Sequence, residues 1–199
     1  MVYIPLDISK KPDPKYKNDL IGVLDIETTG WLNAGGKIVE VGVVGLHLPT
    51  GNRYQLFDAV CKEPGLAAKD RNAWIFQNSD LTPDEVRDAP LLSDLLPQLH
   101  WVISQVRAVT AYNKAFDLPF LRSRGLKIEH EWPCPMEVST PICKIPRPGF
   151  RKFKWPSVEE AWAYFFPDEP YVELHRGYDD AYHEAKIVHK LYTEGYIKG

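Results

Sequence analysis

The chain has 199 residues, 44% of them hydrophobic and 26% charged, the balance of a globular domain with one sizeable core and not of a fibrous or disordered chain. Lys and Arg total 24 against 27 Asp and Glu, a net charge of -3, which excludes whole-molecule attraction to nucleic acid or membrane and leaves only local patches for it. No apolar run approaches the roughly 20 residues that span a bilayer and the opening stretch lacks the apolar segment of a signal peptide, so a cytoplasmic protein with no membrane partner is expected, its three scattered cysteines (Cys61, Cys134, Cys143) reduced.

Residues 1-19 are rich in lysine and proline and read as a tail or edge extension, with residues 20-199 as a single domain. Leu20 to Ile26 is a branched apolar run stopped by Thr-Thr-Gly, the pattern of a buried central strand. Two further strand-like runs, Lys37 to Leu48 and Arg53 to Cys61, flank the turn Pro49-Thr50-Gly51-Asn52, completing an antiparallel meander. Prolines punctuate the stretch to Pro90, where Thr82-Pro83-Asp84-Glu85 opens a short helix. Leu91 to Gln105 has helical apolar spacing, and Val106 to Tyr112 reads as a strand. A helix over about 117-124 tolerates Pro119 only in its first turn. Ser157 caps a helix to Phe166 with Glu160 at the capping-box position, and a last helix runs from about Tyr178 to Glu194. Strands first and alternating elements afterwards predict an α/β domain, a mixed sheet with helices packed on it.

Asp25 and Glu27 interrupt an apolar strand, and residues two apart on a strand face one side. Paired carboxylates repel unless they share a proton or a cation, so a hard divalent metal is their natural partner. The alternative for this tripeptide alone is a strand that simply ends at the surface. Asp117 falls between Phe120 and Leu121 on a helical wheel, on the core side; alone, it would also suit a helix N-terminal acid held by backbone N-H groups. With Ala181 at zero on the last helix, Asp180 falls among the inward residues Ile187 and Leu191, whereas Asp179 lies about 160° away on the solvent face. His175 precedes that helix in a loop able to reach the same place. Strand ends and helix starts gather at one edge of an α/β sheet, so four acids and a histidine are expected to meet there.

The segments LDIETTG, AYNKAFDLPFL and HRGYDDA resemble, in order, the three motifs of the DEDDh 3′-5′ exonucleases, the DnaQ-like group that includes the proofreading epsilon subunit of bacterial DNA polymerase. The spacing from His175 to Asp180 matches the histidine subclass, and KFKWPSVEEAWAYFFP is similar to a further family segment. AWIFQNSDLTPDEVRDAP is similar to another, but Ser79-Asp80-Leu81-Thr82 replaces its Gly-Ile-Thr.

The resemblance implies an RNase H-like fold: a mixed five-stranded sheet, the antiparallel three-stranded meander plus parallel strands, flanked by helices. It implies a hydrolase that releases nucleoside 5′-monophosphates from a 3′ end, using two divalent cations, Mg²⁺ or Mn²⁺. By that likeness Asp25 bridges both ions, Glu27 and Asp180 help hold the first, Asp117 helps hold the second, and His175 is the general base. Two adjacent cations stabilise both the attacking and the leaving oxygen of an in-line displacement, and an imidazole, ordinarily titrating near ~6.5, suits the proton transfer. Thr28 matches a position whose backbone lies near the terminal 3′-hydroxyl, and Asn113 matches the second motif's asparagine.

Val138 to Ser157 carries Lys144, Arg147, Arg151, Lys152 and Lys154, no acid, and the aromatics Phe150, Phe153 and Trp155. Such a segment fits a phosphate-backbone track with base-stacking faces, Arg151, Lys152 and Lys154 being its candidate contacts; a solvated loop with its aromatics turned into the core fits equally. Trp74 and Phe76 are candidates for a base-pocket wall, although core packing is expected for most of the six tryptophans. The other five histidines have no persuasive ligand spacing. The expected partner is a single-stranded nucleic-acid 3′ end, DNA before RNA, with a DNA polymerase as an optional associate. The last helix is expected to stop about five residues before Gly199, which fits a stand-alone enzyme. A catalytically silent binding module on this scaffold would be expected to lack a metal ligand, whereas this sequence keeps all four acids and His175.

Overall fold

Strand β1 (Leu20–Thr28) lies between β2 (Ile38–His47), antiparallel to it, and the short β4 (Ala108–Thr110), parallel to it; β3 (Arg53–Val60) pairs antiparallel on the outer side of β2. This computed structural model describes residues 18–66 and 68–198. The expected N-terminal tail therefore lies, through residue 17, outside the described residues.

The helices are α1 (Ile75–Asn78), α2 (Pro83–Asp88), α3 (Leu92–Ser104), α4 (Lys114–Ser123), α5 (Pro135–Cys143), α6 (Val158–Phe165) and α7 (Gly177–Thr193). Side-chain alternation on β1 divides the core. Leu20, Leu24 and Ile26 join Leu95 and Leu99 of α3 and Leu118, Phe120 and Leu121 of α4 in one apolar layer. Ile21 and Val23 join Trp162 of α6 and Ala181, Ala185 and Val188 of α7 in the other. Continuing the odd-numbered series puts Asp25 and Glu27 beneath α7.

One close approach fixes α7 against the sheet. Gly42 of β2 is the cross-strand partner of Asp25, and a methyl group on its Cα would stand 2.2 Å from the carbonyl carbon of Gly177 and 2.3 Å from the Tyr178 nitrogen. The first turn of α7 thus touches β2 backbone to backbone, a contact available only to glycine.

Among the described residues the sheet has four strands, one fewer than expected. In place of the fifth, a single parallel bridge joins Val109 and Glu131, with the Val109 N-H donating to the His130 carbonyl at 3.0 Å and the Trp132 N-H donating to the Val109 carbonyl at 2.7 Å. Pro133 and Pro135 follow at once, and proline has no N-H to extend a ladder.

Helix α4 begins three residues ahead of the expected 117, leaving Pro119 inside it. Pro119 and Ala115, whose carbonyl loses its helical donor, are both exposed, so that carbonyl is open to solvent and not buried without a partner. Helix α5 occupies the start of the basic segment, where the prolines had hidden a helical pattern; Pro135 sits at its first turn, where a missing N-H costs nothing. The capping boxes of Thr82 with Glu85 and Ser157 with Glu160 both form. Among the described residues no helix is long and apolar enough to cross a membrane.

Candidate active site

The end of β1, the start of α4 and the start of α7 converge, each bringing an acid. Asp117, 3% exposed, enters from the first turn of α4, and the Ile26 N-H of β1 donates to its Oδ1 at 3.4 Å. Asp180, 1% exposed, accepts from the Arg176 backbone N-H at 2.8 Å and from the Tyr171 hydroxyl at 3.1 Å. Asp179 lies one position round the helix, partly exposed, its carboxylate 3.2 Å from His183 Nδ1.

Glu27, His175 and Asp180 each offer a ligand atom, and these atoms lie within 4.8 Å of one another. Asp25 and Asp117 open instead onto an adjoining cavity of about 250 Å³, lined also by Asn113, Phe116, Glu173 and Glu184. Thr28 follows Glu27 at a register shift of the β1–β2 ladder, its hydroxyl donating to the Gly30 carbonyl at 3.0 Å.

His175 has a left-handed backbone, φ 54°, uncommon for a residue with a side chain. Its neighbours hold it there. The Arg176 guanidinium donates to both oxygens of the buried Glu40, 2.8 to 3.2 Å, and its remaining nitrogen donates to Asp80 at 2.6 Å. The Gly177 N-H also donates to Glu40, at 3.1 Å. On the open side the indole of Trp74 meets the imidazole edge to face, ring centres 4.6 Å apart.

The departure at Ser79-Asp80-Leu81-Thr82 thus has a local purpose: Asp80 grips the arginine beside His175, while Leu81 fills an apolar cluster with Val39, Ile75 and Val86.

The acids strain one another electrostatically. Removal from water pushes Asp25 well above the ordinary carboxylate range, and the charges of Glu184, Glu27, Asp117 and Asp180 add to it. Burial, then Asp180 and Glu40, raises Glu27. Burial also raises Asp180, against the pull of its two hydrogen bonds, and lifts Asp117 and Glu173 each to about 7. Crowded oxygens that resist ionisation when bare are suited to a hard divalent cation, which favours their charged form. Glu27 and Asp180, with His175 beside them, fit such an ion.

Of the remaining candidates, Asn113 lines the cavity and begins α4 exposed. Arg151 and Lys152 are exposed and make no ion pair among the described residues, whereas Lys154 is drawn to Glu160 at 2.7 Å. Phe150 (64% exposed), Phe153 (44%) and Trp155 (65%) turn outward, which removes the reading that buried them. Three of the six tryptophans, Trp31, Trp74 and Trp155, are exposed, contrary to the expected core packing of most; Trp74 meets His175, and Trp31 meets the cavity-lining Phe116 with ring centres 5.4 Å apart. Sequence reasoning missed Glu173, Glu184 and the Glu40–Arg176 pair; for Glu184 a signal existed, its position one turn after Asp180.

The exonuclease family model RNase_T matches residues 23–188, and with its motifs assembled as above the chain belongs to this family, in the DEDDh 3′-5′ exonuclease group. A stretch of 174 residues is 25% identical to the DNA polymerase III PolC-type of Caldanaerobacter subterraneus subsp. tengcongensis, covering 85% of this chain and 11% of that polymerase. The chain thus spans about a tenth of that relative's length. Among solved structures, the nuclease domain of 3′hExo, a DEDDh family member bound to rAMP, matches with TM-score 0.67 and 16% identity over 91% of this chain and 96% of that one. Exonuclease I of E. coli in complex with a dA16 oligonucleotide matches with TM-score 0.62 and 15% identity, over 88% and 41%. The fold is RNase H-like.

Proposed function

We propose that the chain, with residues 20-199 as one exonuclease domain, removes nucleoside 5′-monophosphates from the 3′ end of single-stranded DNA. The observation that carries this reading is the meeting of Asp25, Glu27, Asp117, Asp180 and His175 at one cleft, with Trp74 against the histidine and Phe116 in the adjoining cavity. Divalent cations, Mg²⁺ or Mn²⁺, would neutralise the phosphate and lower the pKa of the attacking water when bound there. The four carboxylates hold the charge that retains them. His175 takes the proton from the attacking water, its imidazole beside Glu27 and Asp180. Asn113 and the Thr28 backbone border the terminal nucleotide, and the strand runs outward past Trp155, Arg151 and Lys152. Stacking on exposed aromatic faces is sequence-tolerant, as removal of successive nucleotides requires.

The likeness to part of a polymerase supports DNA as the substrate and a polymerase as an associate. Ribonucleotide ends are the second reading, favoured by the likeness to a nuclease domain bound to rAMP.

The test is digestion of matched 5′-labelled single-stranded DNA and RNA in Mg²⁺, Mn²⁺ or EDTA, with His175→Ala as control. A ladder shortening from the 3′ end of DNA, lost in EDTA and in the variant, is expected. Preferential shortening of RNA would overturn the choice of sugar, and intact substrates in both metals would overturn the activity.

A further inference from the structure

Helix α7 brings a second acid to the site. Glu184 lies one turn beyond Asp180, is 2% exposed, and lines the same cavity as Asp25 and Asp117. Its Oε2 accepts from the Tyr112 backbone N-H at 3.2 Å. That bond is its one hydrogen bond among the described residues, and no Lys, Arg or His there forms an ion pair with the carboxylate. The single N-H bond is one that glutamine would satisfy without charge, so the bond does not account for an acid here. Burying an unpaired carboxylate is costly, and this one faces other acids; among the carboxylates, Glu184 contributes most to raising Asp25.

We propose that Glu184 is a fifth carboxylate of the cation site, acting on the Asp25–Asp117 side to strengthen divalent-metal binding. The inference rests on the metal-dependent reading above. The residue acts through charge and through groups bound to the ion, as outer carboxylates do at other metal centres. The cost is borne by the metal-free protein, in which burial and the neighbouring acids oppose the charge of Glu184 more than the Tyr112 N-H favours it.

Glu184→Gln separates the two possible roles, because the amide oxygen still accepts from Tyr112 while the charge is gone. Binding of Mn²⁺ is measured by electron paramagnetic resonance without substrate, on wild type and variant, together with the thermal midpoint in EDTA at pH 8. The expected result is about 10-fold weaker Mn²⁺ binding with a midpoint in EDTA equal to or above that of wild type. Glu184→Asp, which restores the charge on a shorter stem, recovers part of the affinity. Equal Mn²⁺ affinity in wild type and Glu184→Gln overturns the proposal, as does a wild type that binds no Mn²⁺. A Mn²⁺ difference that persists while wild type digests neither DNA nor RNA supports the carboxylate's role and overturns the nuclease reading alone.

Discussion

Asp117 provides a direct measure of how far this cleft is tuned to a metal. Burial holds its carboxyl at about 7 against an ordinary 3.8, so between those values the folded protein binds a proton that the unfolded chain releases. Stability from this group is therefore full below about pH 4 and is lost as pH rises towards 7. The gap between the two values corresponds to about 4 kcal/mol. The perturbation is Asp117→Asn, which removes the titration and keeps an acceptor for the Ile26 N-H. Urea unfolding in EDTA, followed by tryptophan fluorescence from pH 4 to 8, is the assay. Wild type should lose about 4 kcal/mol more than the variant across that range, and saturating Mg²⁺ should abolish the difference in slope by binding the ionised site. Parallel curves for the two proteins in EDTA would show that Asp117 is ionised throughout, refuting the argument.

Asp180→Ala should abolish metal-dependent hydrolysis while Asp179→Ala retains most of it, because only the first is enclosed with Glu27 and His175; equal losses in a steady-state assay would contradict the assignment. Glu40→Gln, which leaves the Arg176 guanidinium without its buried counter-charge, should destabilise the fold by about 3 kcal/mol and lower kcat with KM unchanged, since it loosens the backbone that presents His175; chemical denaturation and a substrate titration read the two effects. Neutralising Arg151 and Lys152 together should raise KM and flatten its salt dependence, whereas Trp155→Ala should raise KM and leave the salt slope intact. An unaltered slope in the first variant would remove those cations from the substrate path.

Local patterns were legible wherever the physics is local. The capping box at Ser157 and the helix start at Thr82 follow from short local motifs, the inward face of α7 and the alternation along β1 from periodicities of 3.6 and 2, and the first of these periods distinguished Asp180 from Asp179. What periodicity does not carry is the encounter between distant elements. Glu40 lies within an apolar strand run, and its ion pair with Arg176 depends on a separation of 136 residues. The exposed aromatics were equally opaque, because composition does not say which indoles the core has room for: Trp162 is buried at 5% and Trp155 lies open at 65%. The shortened sheet is an intermediate case, its proline signal being visible in Trp132-Pro133-Cys134-Pro135 but its consequence for strand count depending on where Val109 finds a partner.

The bare contact between Gly42 and Gly177 bears on how this site can change over time. With no side chain at either position, the interval between the sheet and the helix carrying Asp180 is a dimension of the peptide backbone itself. Repacking elsewhere in the core, even where it alters stability, has no intervening side chain through which to widen or narrow that interval. The reach of the cleft is therefore set by two backbones in contact, whatever side chains surround them.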